Sequence, residues 1–251
     1  MEQYVGPVMI RSVGKAFTVL ELVSQGHTTL KDISDASGMP RSTVHRILAN
    51  LVEERMLHSD QHEYRLGVRL IEFGEAAKRA HPIEGAAKRP MRELARLTKE
   101  TVHLGVLDGT DIVYLHKVDG GRGLQMASYV GLRSPAQHTA MGKVLISALP
   151  EESWEHYYRP GERRTPTSIG SLAEFLTEIT QVRQAGHAFD REENEIGIRC
   201  CAAPIRDANG RAVAAISLSG ASVYIGEERL EELVPDVVAC ANEITAGAGG
   251  R

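Results

Sequence analysis

Cysteine is scarce in this 251-residue chain: there are three, two of them adjacent at Cys200 and Cys201, which is no disulfide framework. Long apolar runs are missing too. None reaches the roughly 18 residues needed to cross a bilayer, and no signal-peptide pattern precedes Val13. The expectation is a cytoplasmic protein with no membrane contact. Basic charge is not in excess. The net charge is -4, and residues 1–81 carry ten Lys plus Arg against ten Asp plus Glu. Any phosphate-binding surface therefore has to arise from placement rather than from numbers. His103, His116, His138, His187 and the cysteines include no compact pair such as Cys-x-x-Cys or His-x-x-x-His, so neither a metal nor a cofactor is expected. No Gly-x-Ser-x-Gly elbow occurs, and no histidine is placed by sequence as a base for Cys200 or Ser217. An enzyme built on either nucleophile is thus the weaker alternative. What remains is ordinary globular material, 42% hydrophobic and 25% charged, long enough for two modest domains rather than one core.

The strongest local signal lies at residues 29–51, TLKDISDASGMPRSTVHRILANL. Leu30, Ile33 and Ala36 fall on one helical face, and Val44, Ile47, Leu48 and Leu51 on another, at three- and four-residue spacing. Thr29, with Asp32 three residues on, caps the first helix; Gly38 supplies the positive φ that ends it. Pro40 opens the second, where a missing N–H costs nothing. Two short helices about a Gly-containing turn make a helix-turn-helix. The outer face of the second helix carries Ser42, His45, Arg46 and Ala49, with Arg41 and Thr43 in its first turn. Hydroxyls there suit phosphate oxygens, and Arg and His suit purine edges in a major groove. The alternatives are a plain solvated face and a scaffold used only for protein contact. Upstream, Val13, Ala16, Phe17, Leu20 and Val23 form an amphipathic helix ending near Gly26. Residues 1–11 carry no pattern and are expected to be a mobile arm. Downstream, strands at 56–58 and 64–66 flank Ser59-Asp60-Gln61-His62 and make a wing, from which His62 and Arg65 can reach phosphates.

Residues 67–81 form a helix with Leu70, Phe73 and Ala77 on one face, stopped by Pro82. A second domain begins near Ile83 with a helix over 84–98 that starts anew at Pro90. Strands are predicted at 102–107, 112–118, 125–128, 187–190, 199–206 and 213–219. Helices are predicted at 139–149, from the Ser171/Glu174 capping box through Gln184, and at 227–246. Asp119-Gly120-Gly121-Arg122-Gly123 lacks the spacing of a phosphate loop and is read as a flexible connection. The order is α+β, a mainly antiparallel sheet flanked by helices. Asn209-Gly210 suits the centre of a two-residue type I′ turn. That turn pairs Ala208 with Arg211, Ala202 with Ser217 and Cys200 with Ser219. The last four side chains then share one face, which is either a small polar pocket or a small-residue surface packed beneath a helix.

With these segments in view, the chain resembles the IclR family of transcriptional regulators across residues 13–246. MPRSTVHRILANL (residues 39–51) is similar to the family's recognition-helix signature, and DREENEIGIRCCAAPI (190–205) to its C-terminal one. The resemblance implies three parts: a winged helix-turn-helix DNA-binding domain over 1–66, a linker helix over 67–82 that helps dimerise the DNA-binding modules, and an effector-binding domain of GAF-like fold over 83–251. It implies an effector pocket lined by Asp190 and Cys200, with Ser217 and Ser219 of AISLSG. HTAMGK (138–143) adds Ala140 and Met141 at a helix start whose free N–H groups suit a carboxylate, and Met126 is an apolar wall position. Arg191 departs from the pattern, since many members carry a second acidic residue there. The implied partners are double-stranded DNA with a palindromic operator, a small-molecule carboxylate effector, and further copies of the chain as a homodimer or dimer of dimers. Arg41, Ser42, Thr43, His45, Arg46 and Arg65 are the candidate DNA contacts.

Overall fold

The computed structural model describes residues 11–79, 83–122 and 126–248. Residues 1–10 of the arm expected over 1–11, the helix-stopping Pro82, and Gly123 and Gln125 of the predicted loop and strand lie outside them; Arg11, the last residue of that arm, instead opens the first helix. The chain divides into two compact units, residues 1–81 and 82–251.

In the first unit, helices α1 (Arg11–Ser24), α2 (Leu30–Ser37) and α3 (Arg41–Glu53) precede a hairpin, β1 (Leu57–Asp60) and β2 (Glu63–Leu66), and a helix, α4 (Arg69–Arg79). The apolar stripes meet in one small core of Val19, Val23, Ile33, Val44, Leu48, Leu51 and Leu57. Helix α2 begins where Thr29 Oγ1 accepts the Asp32 N–H at 3.2 Å, and it ends where Gly38 takes φ 66°. Two stripe assignments are corrected. Ala36 is exposed and Ser34 is buried in its place, because the Ser34 hydroxyl donates to the Met39 carbonyl at 2.7 Å and fastens the turn. In α1 the buried residues are Val19 and Val23, while Val13 and Phe17 face outward. The stripe that meets α2 and α3 is set by Val19, a position the periodicity count passed over. The wing turns through Gln61 and His62, at φ 46° and 67°, with Asp60 paired to Glu63. The Tyr64 N–H donates to the Thr28 carbonyl at 2.7 Å and stitches the wing to the start of α2. Helix α4 buries none of its residues; Phe73 lies under the Arg69 guanidinium.

The second unit contains α5 (Ile83–Thr98), β3 (Thr101–Asp108), β4 (Asp111–Val118), β5 (Arg133–Pro135), α6 (Ala140–Ser147), α7 (Leu172–Ala185), β6 (Ala188–Arg191), β7 (Ile198–Arg206), β8 (Ala212–Ala221), α8 (Glu227–Glu232) and α9 (Val234–Ala248). The strands form one antiparallel sheet in the order β5-β4-β3-β8-β7-β6. Strand alternation divides its two faces. Val102, Leu104, Cys201, Ala203, Ile216 and Leu218 point to a core shared with α5, α8 and α9. Ile112, Ala202 and Ala215 point the other way, to a core shared with α6 and α7.

Several boundaries differ from expectation. Helix α5 runs straight through Pro90, because Ala87, Met91, Leu94 and Ala95 on either side are all buried. That packing outweighs the one backbone hydrogen bond Pro90 cannot donate. The helix expected over 227–246 breaks at Leu233, just ahead of Pro235, giving α8 and α9. Residues 126–128 are not a strand, and β5 pairs with β4 instead. The β7–β8 register is as predicted, with Cys200 opposite Ser219 and Ala202 opposite Ser217. The turn that was to enforce it is not type I′, since of Asn209 and Gly210 only Gly210, at φ 77°, is left-handed. Asp207 closes a longer loop by accepting the N–H groups of Asn209 and Arg211, both at 2.9 Å. A one-residue irregularity between Ile205 and Arg206 then restores the pairing.

Candidate functional site

The outer surface of the first unit is built from α3 and the wing. Burial of Val44, Leu48 and Leu51 fixes the rotation of α3 and leaves Arg41, Ser42, His45 and Arg46 exposed, with Thr43 half-buried at the edge. Pro40 sits at the N-cap, one residue earlier than the first helical position, and its carbonyl accepts the N–H groups of Thr43 and Val44 at 2.8 and 3.1 Å. Arg65 is exposed on β2. In this unit Lys31, Arg69 and Lys78 are neutralised by Asp35, Glu54 and Glu75, whereas Arg41, Arg46 and Arg65 have no carboxylate partner among the described residues. A domain neutral in sum therefore keeps free cations on its recognition helix and wing.

The second unit holds a cavity of about 230 Å³ between the sheet and the start of α6. All seven pocket residues taken from the sequence border it: Met126, Ala140, Met141, Asp190, Cys200, Ser217 and Ser219. The sheet supplies Cys200, Ser217 and Ser219 because alternation turns them to the face opposite Cys201 and Leu218. Ala202 shares that face but is covered by the α6 core and does not border the cavity. Helix α6 is capped by Thr139, whose Oγ1 accepts the Gly142 N–H at 3.0 Å. The N–H groups of Ala140 and Met141, in the first turn, have no intrahelical acceptor.

Asp190 is almost fully buried, and its Oδ1 accepts the Glu193 N–H at 2.7 Å and the Asn194 N–H at 3.3 Å. Burial, with the Glu193 carboxylate adding to it, pushes the Asp190 carboxyl up to about 7. Glu193 is in turn held at 2.7 Å by Lys143 Nζ, which also reaches Glu178 at 2.8 Å. Burial alone would lower the Lys143 ammonium; Glu193 and Glu178 outweigh it and hold it above its ordinary value. This buried ion triplet ties α6 and α7 to the segment bearing Asp190. Burial, reinforced by Asp190, raises the Cys200 thiol well above its usual range, which removes the thiolate a nucleophile needs.

Several bordering residues were not legible in the sequence. His103 is at the cavity with Tyr114, Ser128, Ser134 and Thr139. Its Nε2 bonds the Ser128 hydroxyl at 2.8 Å and its Nδ1 lies 3.4 Å from Ser219 Oγ. Burial, then Lys117, lowers the imidazole to about 3, so the ring is neutral. Burial raises the Tyr114 phenol to about 12. The β3–β8 pairing puts His103 beside Ser217, but no local turn dictates that long-range pairing, so alternation within one strand could not reveal it. Among the described residues no cluster of three or more potential metal ligands occurs, and no helix is long and apolar enough to cross a membrane.

A winged helix-turn-helix in one chain with a cavity-bearing α+β unit defines a transcriptional regulator with an effector domain. Residues 12–61 match the IclR helix-turn-helix domain and residues 75–246 the bacterial transcriptional regulator IclR C-terminal domain. The chain belongs to the IclR family. KdgR, an HTH-type transcriptional regulator of Escherichia coli (strain K12), is 35% identical over 248 residues, which is 97% of this chain and 94% of KdgR. XynR from the same strain is 36% identical over 232 residues, 88% and 90% of the two chains. The crystal structure of the Thermotoga maritima IclR matches with a TM-score of 0.78 at 31% identity, covering 96% of this chain and 99% of that one. These relatives are regulators, and the chain is a regulator rather than an enzyme.

Proposed function

We propose that the regulator responds to a small organic acid held in the cavity of the second unit. The observation that carries this is the convergence, in one small cavity, of the free first-turn N–H groups of α6, the hydroxyls of Ser217 and Ser219, and the buried carboxyl of Asp190. Helix N-termini favour carboxylates, and Asp190 in its protonated form can donate to a ligand oxygen. Met126, Met141 and Ala140 supply an apolar wall. At about 230 Å³ the space is below the roughly 300–1,000 Å³ of drug-sized sites, which selects a compact metabolite.

In this reading Arg41, Ser42, Thr43, His45, Arg46 and Arg65 bind a palindromic operator in the cytoplasm. Two copies, or a dimer of dimers, match the two half-sites. Residues 1–66 are the DNA-binding domain, 67–82 a linker helix and 83–251 the effector domain. The exposed apolar side chains of Val68, Ile71 and Phe73 support a linker helix that is covered by another copy. A thermal-shift screen of small carboxylates tests the effector class, because a ligand bound to the folded state raises its melting temperature. An acid should give a clear rise in the wild type and a much smaller one in Ser219→Ala at equal concentration. Equal shifts in the two proteins would remove Ser219 from the site, and a panel without any shift would reject the class.

A further inference from the structure

The cleft between α1 and α3 deepens the DNA-binding reading and rests on it. It encloses about 420 Å³ over an apolar floor of Ala16, Ile47 and Leu51. Helix α1 lines it with Arg11, Ser12 and Lys15, and α3 lines it with Thr43 and Arg46. All three cations are exposed, and none has a carboxylate partner among the described residues. The carboxylate that does border the cleft, Glu54, is taken up by Arg69, whose guanidinium binds both its Oε2 and its backbone carbonyl. The cleft thus combines uncompensated positive charge, hydroxyl donors and a strip of carbon. That combination complements a sugar–phosphate segment of DNA, with anionic oxygens for the cations and a deoxyribose face for the floor.

We propose that α1 is a second DNA-contacting element: Arg11 and Lys15 close on the phosphate backbone from one side of the cleft and Arg46 from the other. Arg46 then grips the backbone instead of a purine edge. Sequence discrimination passes to Arg41, Ser42 and His45, which do not border the cleft.

The probes are a duplex that the full-length wild type selects from a randomised pool and a scrambled duplex of equal length and composition. Affinities are measured by fluorescence anisotropy from about 0.05 to 0.3 M salt. Arg11→Gln/Lys15→Gln should weaken both duplexes by a similar factor, roughly tenfold, and flatten the slope of log K against log salt by about 1 to 2. The ratio of selected to scrambled affinity should stay at its wild-type value, whereas His45→Ala should lower it. Lys15→Arg keeps the charge and should keep the slope. An unchanged slope in a double variant that melts like wild type overturns the proposal, as does a loss confined to the selected duplex. If the wild type selects no duplex, this proposal and the DNA-binding reading fall together.

Discussion

Asp190 sets the behaviour of the cavity at the scale of single residues. Its carboxyl ionises near 3.8 in a free chain and at about 7 when folded. The folded state therefore loses stability as pH climbs between those two values, and the full penalty stands above 7. Asp190→Asn keeps an oxygen for the Glu193 and Asn194 N–H groups and removes the ionisation. It should melt above wild type at pH 8, by the equivalent of a few kcal/mol, with the gap closing towards pH 4. Melting curves across that range check it; a gap independent of pH would mean Asp190 is ionised throughout. An anionic effector should likewise bind the wild type more weakly as pH rises through about 7. The sequence signature marked Asp190 as a pocket residue, but not its proton, which depends on burial and on Glu193 three residues away. His103 was visible only as a strand residue, since its partners Ser128 and Ser219 come from distant segments.

Among the elements, the wing carries a local cost. Gln61 and His62 both occupy left-handed backbone, where residues with a Cβ are disfavoured and Asn-Gly is the favoured pair. Gln61→Asn/His62→Gly should stabilise the first unit by about 1 kcal/mol, read as a higher urea midpoint. No gain would indicate that His62 makes a compensating contact. Local chemistry of this kind was legible where side chain and backbone agree: Thr29 and Gly38 cap α2, and Ser171 caps α7, as their sequence contexts predict. It was misread where tertiary packing decides. Pro90 is absorbed into α5 because both of its flanks are buried, and Val19 displaces Phe17 because three helices, not one, choose the buried face of α1. The β7–β8 register came out right from a wrong turn. Asp207 lengthens the loop by one arrangement and the irregularity at Ile205 takes the offset back.

For the whole molecule, linkage makes a quantitative demand on the proposed pairing of effector and operator. If an effector acid changes affinity for the selected duplex by some factor, that duplex must change affinity for the acid by the same factor. Titrating acid with and without saturating duplex checks this, and unequal factors would mean the acid also binds elsewhere. The division into two units followed from length and from the helix stop at Pro82, while the placement of free cations in a neutral domain needed the folded positions of their carboxylate neighbours. Along β7 and β8, finally, one residue faces the cavity and the next faces solid interior: Cys200 then Cys201, Ser217 then Leu218, then Ser219. If the cavity holds the proposed acid, specificity and cohesion are written in alternate letters of the same two strands. A descendant protein could then exchange the odd-numbered serines and take a different acid while the neighbours that hold the sheet together go unaltered.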